Sequence, residues 1–217
     1  MILDLDDTLF LERDYVLSGL RGVGKHVATT YGRTGFGDVA VGLFEAGVRG
    51  DTFNRALVAV GLPDDEPTVR SLVEVYRRHS PDIGLTPDAR RLIPRLRGRY
   101  LGVVTDGPLE SQRAKALAVG APRWSSAVIY TAELGPGFGK PHPRAFAMHQ
   151  VAAGREGAAC VYVADNPNKD FAGPKSLGWA TVRIRRPESL HAAVPNGDLV
   201  DLEIASLDEL TVGAARI

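Results

Sequence analysis

Met1-Ile-Leu-Asp-Leu-Asp-Asp-Thr-Leu-Phe10 opens the chain and decides how the rest is read. Three apolar residues run into Asp4, and Asp6 and Thr8 follow at alternate positions. An apolar run ended by polar groups reads as a buried parallel strand whose C-terminal end opens into a crevice. Side chains at i and i+2 of a strand share a face, so Asp4 and Asp6 can point into one crevice. Two carboxylates that close repel each other. Either a divalent cation sits with them or one keeps its proton. Mg²⁺ fits, being a hard cation that takes oxygen ligands and often pairs with substrate phosphate. The plainer alternative is a strand ending in a solvated acidic turn.

Outward from this stretch the pattern changes twice. Residues 12 to about 80 show helical periodicity, with Val16, Leu20, Val23 and Val27 on one face and Val69, Leu72, Val73 and Tyr76 on another. Gly32, Gly35, Gly37, Gly50 and Gly61-Leu-Pro63 punctuate the segment into about four helices. From Leu85 strands and helices alternate. Thr86-Pro87 predicts a helix start with a hydroxyl N-cap and proline at N1. A strand over 100–104 ends in Thr105-Asp106-Gly107, and Pro108 starts the next helix. Strands follow at 127–130, 161–163 and 180–184, with helices at 142–153 and 169–177. The tail, 185–217, reads as loop with a candidate strand at 201–204. This alternation predicts an α/β core, a parallel sheet of about five strands with right-handed crossovers. Ligands in such sheets bind beyond the carboxyl ends of the strands. Three predicted strands end there in polar residues, at Asp4/Asp6, Thr105 and Asp165, which is a physical sign of one shared site.

The totals exclude several classes. With 217 residues the chain is long enough for one large domain, or a core with a smaller appended one. Lys+Arg and Asp+Glu are 26 each, so no bulk field draws nucleic acid or an anionic membrane. Arg183 to Arg186 reads as the solvated end of an element. No apolar segment reaches membrane-spanning length, and an acidic residue at position 4 argues against a signal peptide. Only three residues precede Asp4, so either the first strand is short or the native start lies upstream. The single cysteine, Cys160, excludes an internal disulfide, suits a reducing, cytoplasmic compartment and reads as a small buried apolar residue. The five histidines form no close pair of the kind zinc sites use. His142, between two prolines beside Lys140, reads as surface-exposed.

Four stretches together resemble one family. Asp4-Leu-Asp6-Asp-Thr8 is similar to motif I of the haloacid dehalogenase-like hydrolases, Thr105 to motif II, Lys140-Pro141 to motif III, and Asp165-Asn-Pro-Asn-Lys-Asp170 after Tyr162-Val-Ala164 to motif IV. The family usually has glycine where Ala164 stands, and alanine is small enough to keep the packing close. The resemblance spans about 180 residues. It implies a Rossmann-like catalytic core over 1–11 and 85–217, with 12–84 as a small α-helical cap domain. It also implies a phosphatase acting on a small phosphorylated metabolite. Asp4 would be the nucleophile and Asp6 the acid and base. Thr105, Asp106 and Lys140 would hold phosphate. Mg²⁺ would bind Asp4, the Asp6 carbonyl and Asp165, with Thr8, Asn166 and Asp170 in support.

An acid at position 6 suits phosphatases and mutases better than dehalogenating members. A sugar phosphomutase and a non-catalytic binding module are the alternatives. No nucleic-acid or membrane partner is expected, and the chain is expected to be a monomer or homodimer. Selectivity would come from cap residues facing the core, with Arg13, Tyr15 and Arg49 as candidates; helix rotation, which decides among them, is not fixed by the sequence.

Overall fold

The computed structural model describes residues 1–211; the last part of the predicted 185–217 tail lies outside the described residues. The chain divides into two compact units, Met1–Arg13 with everything from Ile83 onward, and Asp14–Asp82 between them.

The first unit is built on a six-stranded parallel sheet in the order β3-β2-β1-β4-β5-β6. The strands are β1 (Ile2–Leu3), β2 (Gly102–Thr105), β3 (Ala127–Tyr130), β4 (Val161–Ala164), β5 (Ala180–Ile184) and β6 (Leu202–Ile204). The sequence predicts about five. The sixth is the short run at the tail, which lacks a continuous apolar signal because only Ile204 of its three residues is buried. The sheet's order reverses at β1. It therefore has a switch point between β1 and β4, where parallel sheets open a crevice. Strand β1 is only two residues long, yet it is bonded on both sides, Leu3 lying level with Val103 and with Val163. Ile2, Leu3 and Leu5 are buried, and so are Val103, Val104, Val163 and Ala164.

The second unit is helical. Helix α1 (Glu12–Tyr31) runs into it from the first unit, and α2 (Phe36–Glu45), α3 (Thr52–Ala59) and α4 (Glu66–Arg77) complete it. Its core gathers Leu20, Val23, Val27 and Leu72 from the stripes that the periodicity marks, together with Phe36, Ala40, Ala56 and Leu57 from α2 and α3, which it does not mark. Gly24 lets α1 and α2 touch, because a Cβ there would lie 2.7 Å from the Gly37 Cα. Tyr15 is buried with its ring 4.8 Å from His79 and 5.9 Å from Tyr76. The Arg49 guanidinium donates to the Phe44 and Val48 carbonyls and lies 4.1 Å over the Phe44 ring. Both side chains are thus engaged inside the helical unit itself.

Helices α5 (Pro87–Arg95), α6 (Leu109–Ala118), α7 (Ala121–Trp124), α8 (Arg144–Ala153) and α9 (Ala172–Ser176) belong to the sheet unit. No helix among the described residues is long and apolar enough to cross a membrane. Pro87 occupies the first turn of α5 as expected, but the Thr86 hydroxyl makes no cap bond. It points instead to the Leu9 carbonyl at 3.4 Å and accepts from Arg186 at 3.2 Å. Cys160 is buried and free.

The Arg183–Arg186 stretch overturns its sequence reading. Arg183 is completely buried and Arg186 nearly so. Arg183 donates to the carbonyls of Asp165, His191 and Val194 and to the Asn196 side chain. Arg186 pairs with Asp88 and donates to the Thr8 carbonyl. A charge run looks solvated when the carbonyls it must satisfy lie elsewhere in the chain. A buried guanidinium is tolerated where its donors find acceptors, as all three nitrogens of Arg183 do, whereas the Arg186 Nε has no partner among the described residues.

On α8, buried His149 sits under the sheet. Its Nε2 lies 3.1 Å from the Val103 carbonyl, which can only accept, so Nε2 carries the proton. Nδ1 then accepts from the Tyr100 hydroxyl at 3.0 Å. This neutral ring is fully satisfied. Burial pushes its pKa down to about 4, against a weaker opposing pull from the Val103 carbonyl. The native state therefore binds this proton less readily than the unfolded chain. The stabilisation is complete above about pH 6.5 and is lost as pH falls towards 4, on the order of 3 kcal/mol in all. Urea unfolding across that window should show a shallower pH dependence for His149→Gln than for wild type; equal slopes would refute it.

Candidate active site

The polar strand ends do converge. Asp4 follows β1, Thr105 ends β2 and Asp165 follows β4, all at the carboxyl edge of the sheet. Asp4, Asp165 and Asp170 are buried, and each offers a carboxylate oxygen within 4.8 Å of the others. A cluster of three carboxylates needs positive charge. Part of it is Lys140, whose Nζ lies 2.8 Å from Asp4 and 2.7 Å from Asp170, with the Tyr162 hydroxyl at 3.2 Å. Burial opposes the lysine's charge, but the Asp170 and Asp4 carboxylates outweigh it and hold its pKa well above the usual range.

One positive charge against three carboxylates leaves an excess. It shows at Asp165, whose carboxyl is pushed up to about 8 by burial and by the charges of Asp4 and Asp170. An all-oxygen, buried, electron-rich cluster suits a hard divalent cation such as Mg²⁺.

The loops are braced. Asp170 Oδ2 accepts from the Asn166 N–H at 3.0 Å, and the Asn166 side-chain oxygen accepts from the Asn168 N–H, so the Asp165–Asp170 segment closes into a tight turn. Gly173 lets this turn meet the Lys140 loop, since a Cβ there would sit 2.5 Å from the Pro141 carbonyl. The Thr105 hydroxyl is buried and donates to Gln112 at 2.9 Å. The Asp106 carboxylate accepts from the Thr131 hydroxyl and from the Lys140 N–H, tying β2 to the Lys140 loop. Thr8 is fully buried, its hydroxyl has no partner among the described residues, and its carbonyl accepts from Arg186. His142 is half-buried; its Nδ1 accepts from the Arg144 N–H and its ring packs edge-on to Phe138.

Asp6 is held by Lys115 of α6, Nζ to carboxylate 2.7 Å. Burial raises its pKa, Lys115 pulls the other way, and Asp4 adds to the rise. Glu12 is the next titratable group, raised to about 7 by burial and by Asp6.

Residues 1–178 match the haloacid dehalogenase-like hydrolase family. The chain belongs to that family. Phosphoserine phosphatase of Thermus thermophilus is 32% identical over 151 residues, 67% of this chain and 57% of that protein. Glyceraldehyde 3-phosphate phosphatase of Methanocaldococcus jannaschii is 34% identical over 113 residues, 52% of this chain and 48% of that protein. The chain thus spans about half the length of the curated relatives it matches. A haloacid dehalogenase-like phosphatase from Thermococcus onnurineus superposes with a TM-score of 0.60 at 26% identity, covering 96% of this chain and 94% of that one.

Within this haloacid dehalogenase-like site, sequence reasoning misses Asp7, Lys115, Ser189 and the two buried arginines. Asp7 is buried and takes a positive φ of 50°, a conformation aspartate tolerates better than most residues. Its carboxylate accepts from the Glu12 and Leu190 N–H groups. Lys115 does leave a signal, because Gln112 and Lys115 are three apart on the helix after the Thr105 strand. Ser189 leaves none.

Proposed function

We propose that the chain is a Mg²⁺-dependent phosphomonoester hydrolase acting on a small phosphorylated metabolite through an aspartyl-phosphate on Asp4. Two of the relatives it resembles are named phosphoserine phosphatase and glyceraldehyde 3-phosphate phosphatase. The observation that carries the reading is Asp6. An alkoxide needs a proton to leave, whereas a halide does not. A carboxyl two residues past the nucleophile, with its pKa raised, supplies that proton.

In this reading an Asp4 carboxylate oxygen attacks phosphorus, and the bond to the ester oxygen breaks. Asp6 gives its proton to that oxygen. It then takes a proton from the water that attacks the aspartyl-phosphate, which releases inorganic phosphate and frees Asp4. Lys140 sets positive charge against Asp4, and Thr105, whose hydroxyl donates to Gln112 here, would turn that proton to a phosphoryl oxygen when substrate binds. The Asp106 carboxylate is committed to Thr131 and Lys140, so its contribution is the backbone N–H. Asp4, Asp165 and the Asp6 carbonyl would hold Mg²⁺, whose charge shields Asp4 from the phosphate oxygens when bound. Asp170 serves Lys140 and the turn. The 14–82 unit is read as the cap that selects the leaving group.

The test is a panel of small phosphomonoesters, assayed for phosphate release with Mg²⁺ and with chelator, alongside a 2-haloacid assayed for halide. Mg²⁺-dependent phosphate release is expected, with a preference order that substitutions in 14–82 change. Halide release without phosphate release would overturn it.

Metal binding should depend on pH. With its pKa at about 8, Asp165 must give up a proton to take a cation. Mg²⁺ affinity should therefore weaken as pH falls below about 8, approaching tenfold per unit. Calorimetric titrations at about pH 6, 7 and 9 check this, and pH-independent affinity would contradict it.

A further inference from the structure

A strap of backbone at 186–196, beyond the 178 residues that match the family, runs along the carboxylate cluster. Four contacts join the strap to the loops around the cluster, and the one from Ser189 reaches the cluster itself. Arg186 donates to the Thr8 carbonyl, the Leu190 N–H donates to Asp7, His191 Nε2 accepts from the Asn166 side chain at 2.9 Å, and the Ser189 hydroxyl lies 2.9 Å from Asp165 Oδ2. The strap is itself pinned by Arg183 through the His191 and Val194 carbonyls, and by Arg185 through the Ala192 carbonyl.

The Ser189 hydroxyl has a defined direction. Its oxygen accepts from the His191 N–H at 3.2 Å, so its own proton is free to go to Asp165 Oδ2. Asp165 has two oxygens and its main-chain carbonyl is taken by Arg183. Ser189 thereby ties one oxygen and leaves Oδ1 for a cation.

We propose that Ser189 is a positioning residue for the divalent cation, presenting Asp165 in its ligating orientation, and that the 186–196 strap is a working part of the metal site. This rests on the Mg²⁺ reading given above. Partners that orient a ligating group typically change metal affinity about 10–100-fold when removed.

The experiment is direct Mg²⁺ titration by calorimetry, with the melting temperature followed in chelator and in Mg²⁺. Wild type is measured first; absence of binding there would overturn the Mg²⁺ reading itself, before any variant is compared. Ser189→Ala is expected to weaken affinity about 10–100-fold. Its melting temperature in chelator should stay close to wild type, while the Mg²⁺-induced rise shrinks. Ser189→Thr keeps the hydroxyl and should keep the affinity. Should Ser189→Ala not fold, Ser189→Cys keeps the volume with a much weaker donor and should show the same loss. Wild-type affinity in the alanine or cysteine variant would overturn the proposal. So would equal weakening in Ser189→Thr, which would make the strap a packing element and nothing more.

Discussion

Asp4→Asn is expected to lower turnover at least ~10³-fold, because the amide cannot form the aspartyl-phosphate. The substitution keeps size and shape, so the loss is one of chemistry. Lys140 still has Asp170 at 2.7 Å, and one of three crowded carboxylates is removed. The variant should therefore unfold in chelator no more easily than wild type. Steady-state assays on the best substrate of the panel, with urea unfolding in parallel, separate the two effects. Turnover within tenfold of wild type, from a preparation free of wild-type enzyme, would sink the mechanism.

Lys140→Met should be damaging in both respects. The ammonium is 1% exposed and lies between Asp4 and Asp170, themselves 6% and 0% exposed. Removing one partner from such a buried set leaves uncompensated charge, typically at a cost of about 3–5 kcal/mol. Protonation of Asp170 or Asp165 would offset part of this. Stability should therefore fall most at high pH, where those protons are lost. Turnover should fall about 10²–10³-fold, since the charge facing the phosphoryl group is gone. Lys140→Arg should not restore either property, because a planar fork does not fit a socket shaped for a compact ammonium. Wild-type stability at high pH in Lys140→Met would show that the cluster is neutralised some other way.

What the sequence discloses here follows the range of the physics involved. Asp4, Thr105 and Asp165 are legible because an apolar strand ending in a polar residue is a local pattern, and a parallel sheet collects such ends. The Lys140–Asp170 pairing is legible only through family resemblance. Ser189 and Arg186 are not legible at all, since their partners, Asp165, Thr8 and Asp88, are fixed by topology and not by spacing. Arg183–Arg186 misleads for the same reason: alternation marks which residues share a face, but not that the face is closed over. Strand β6 falls within the candidate strand at 201–204 but outside the count of five, because pairing to β5, and not apolar content, makes it a strand.

The two-residue length of β1 also bears on how the molecule assembles. Ile2 pairs with Gly102 on one side and Tyr162 on the other, so neither partner exists near it in the chain. Two residues bring too few contacts to hold such long closures alone. Strand β1 therefore depends on both β2 and β4 for its place in the sheet, and they depend on it to be joined. During synthesis the helical 14–82 segment, whose contacts are local, can form while β1 still waits for residue 163 to emerge. Asp4 reaches Lys140 only across a separation of 136 residues. The acidic cluster thus belongs to the assembled sheet and to no single segment, since the strand that presents Asp4 is clasped by β2 on one side and β4 on the other.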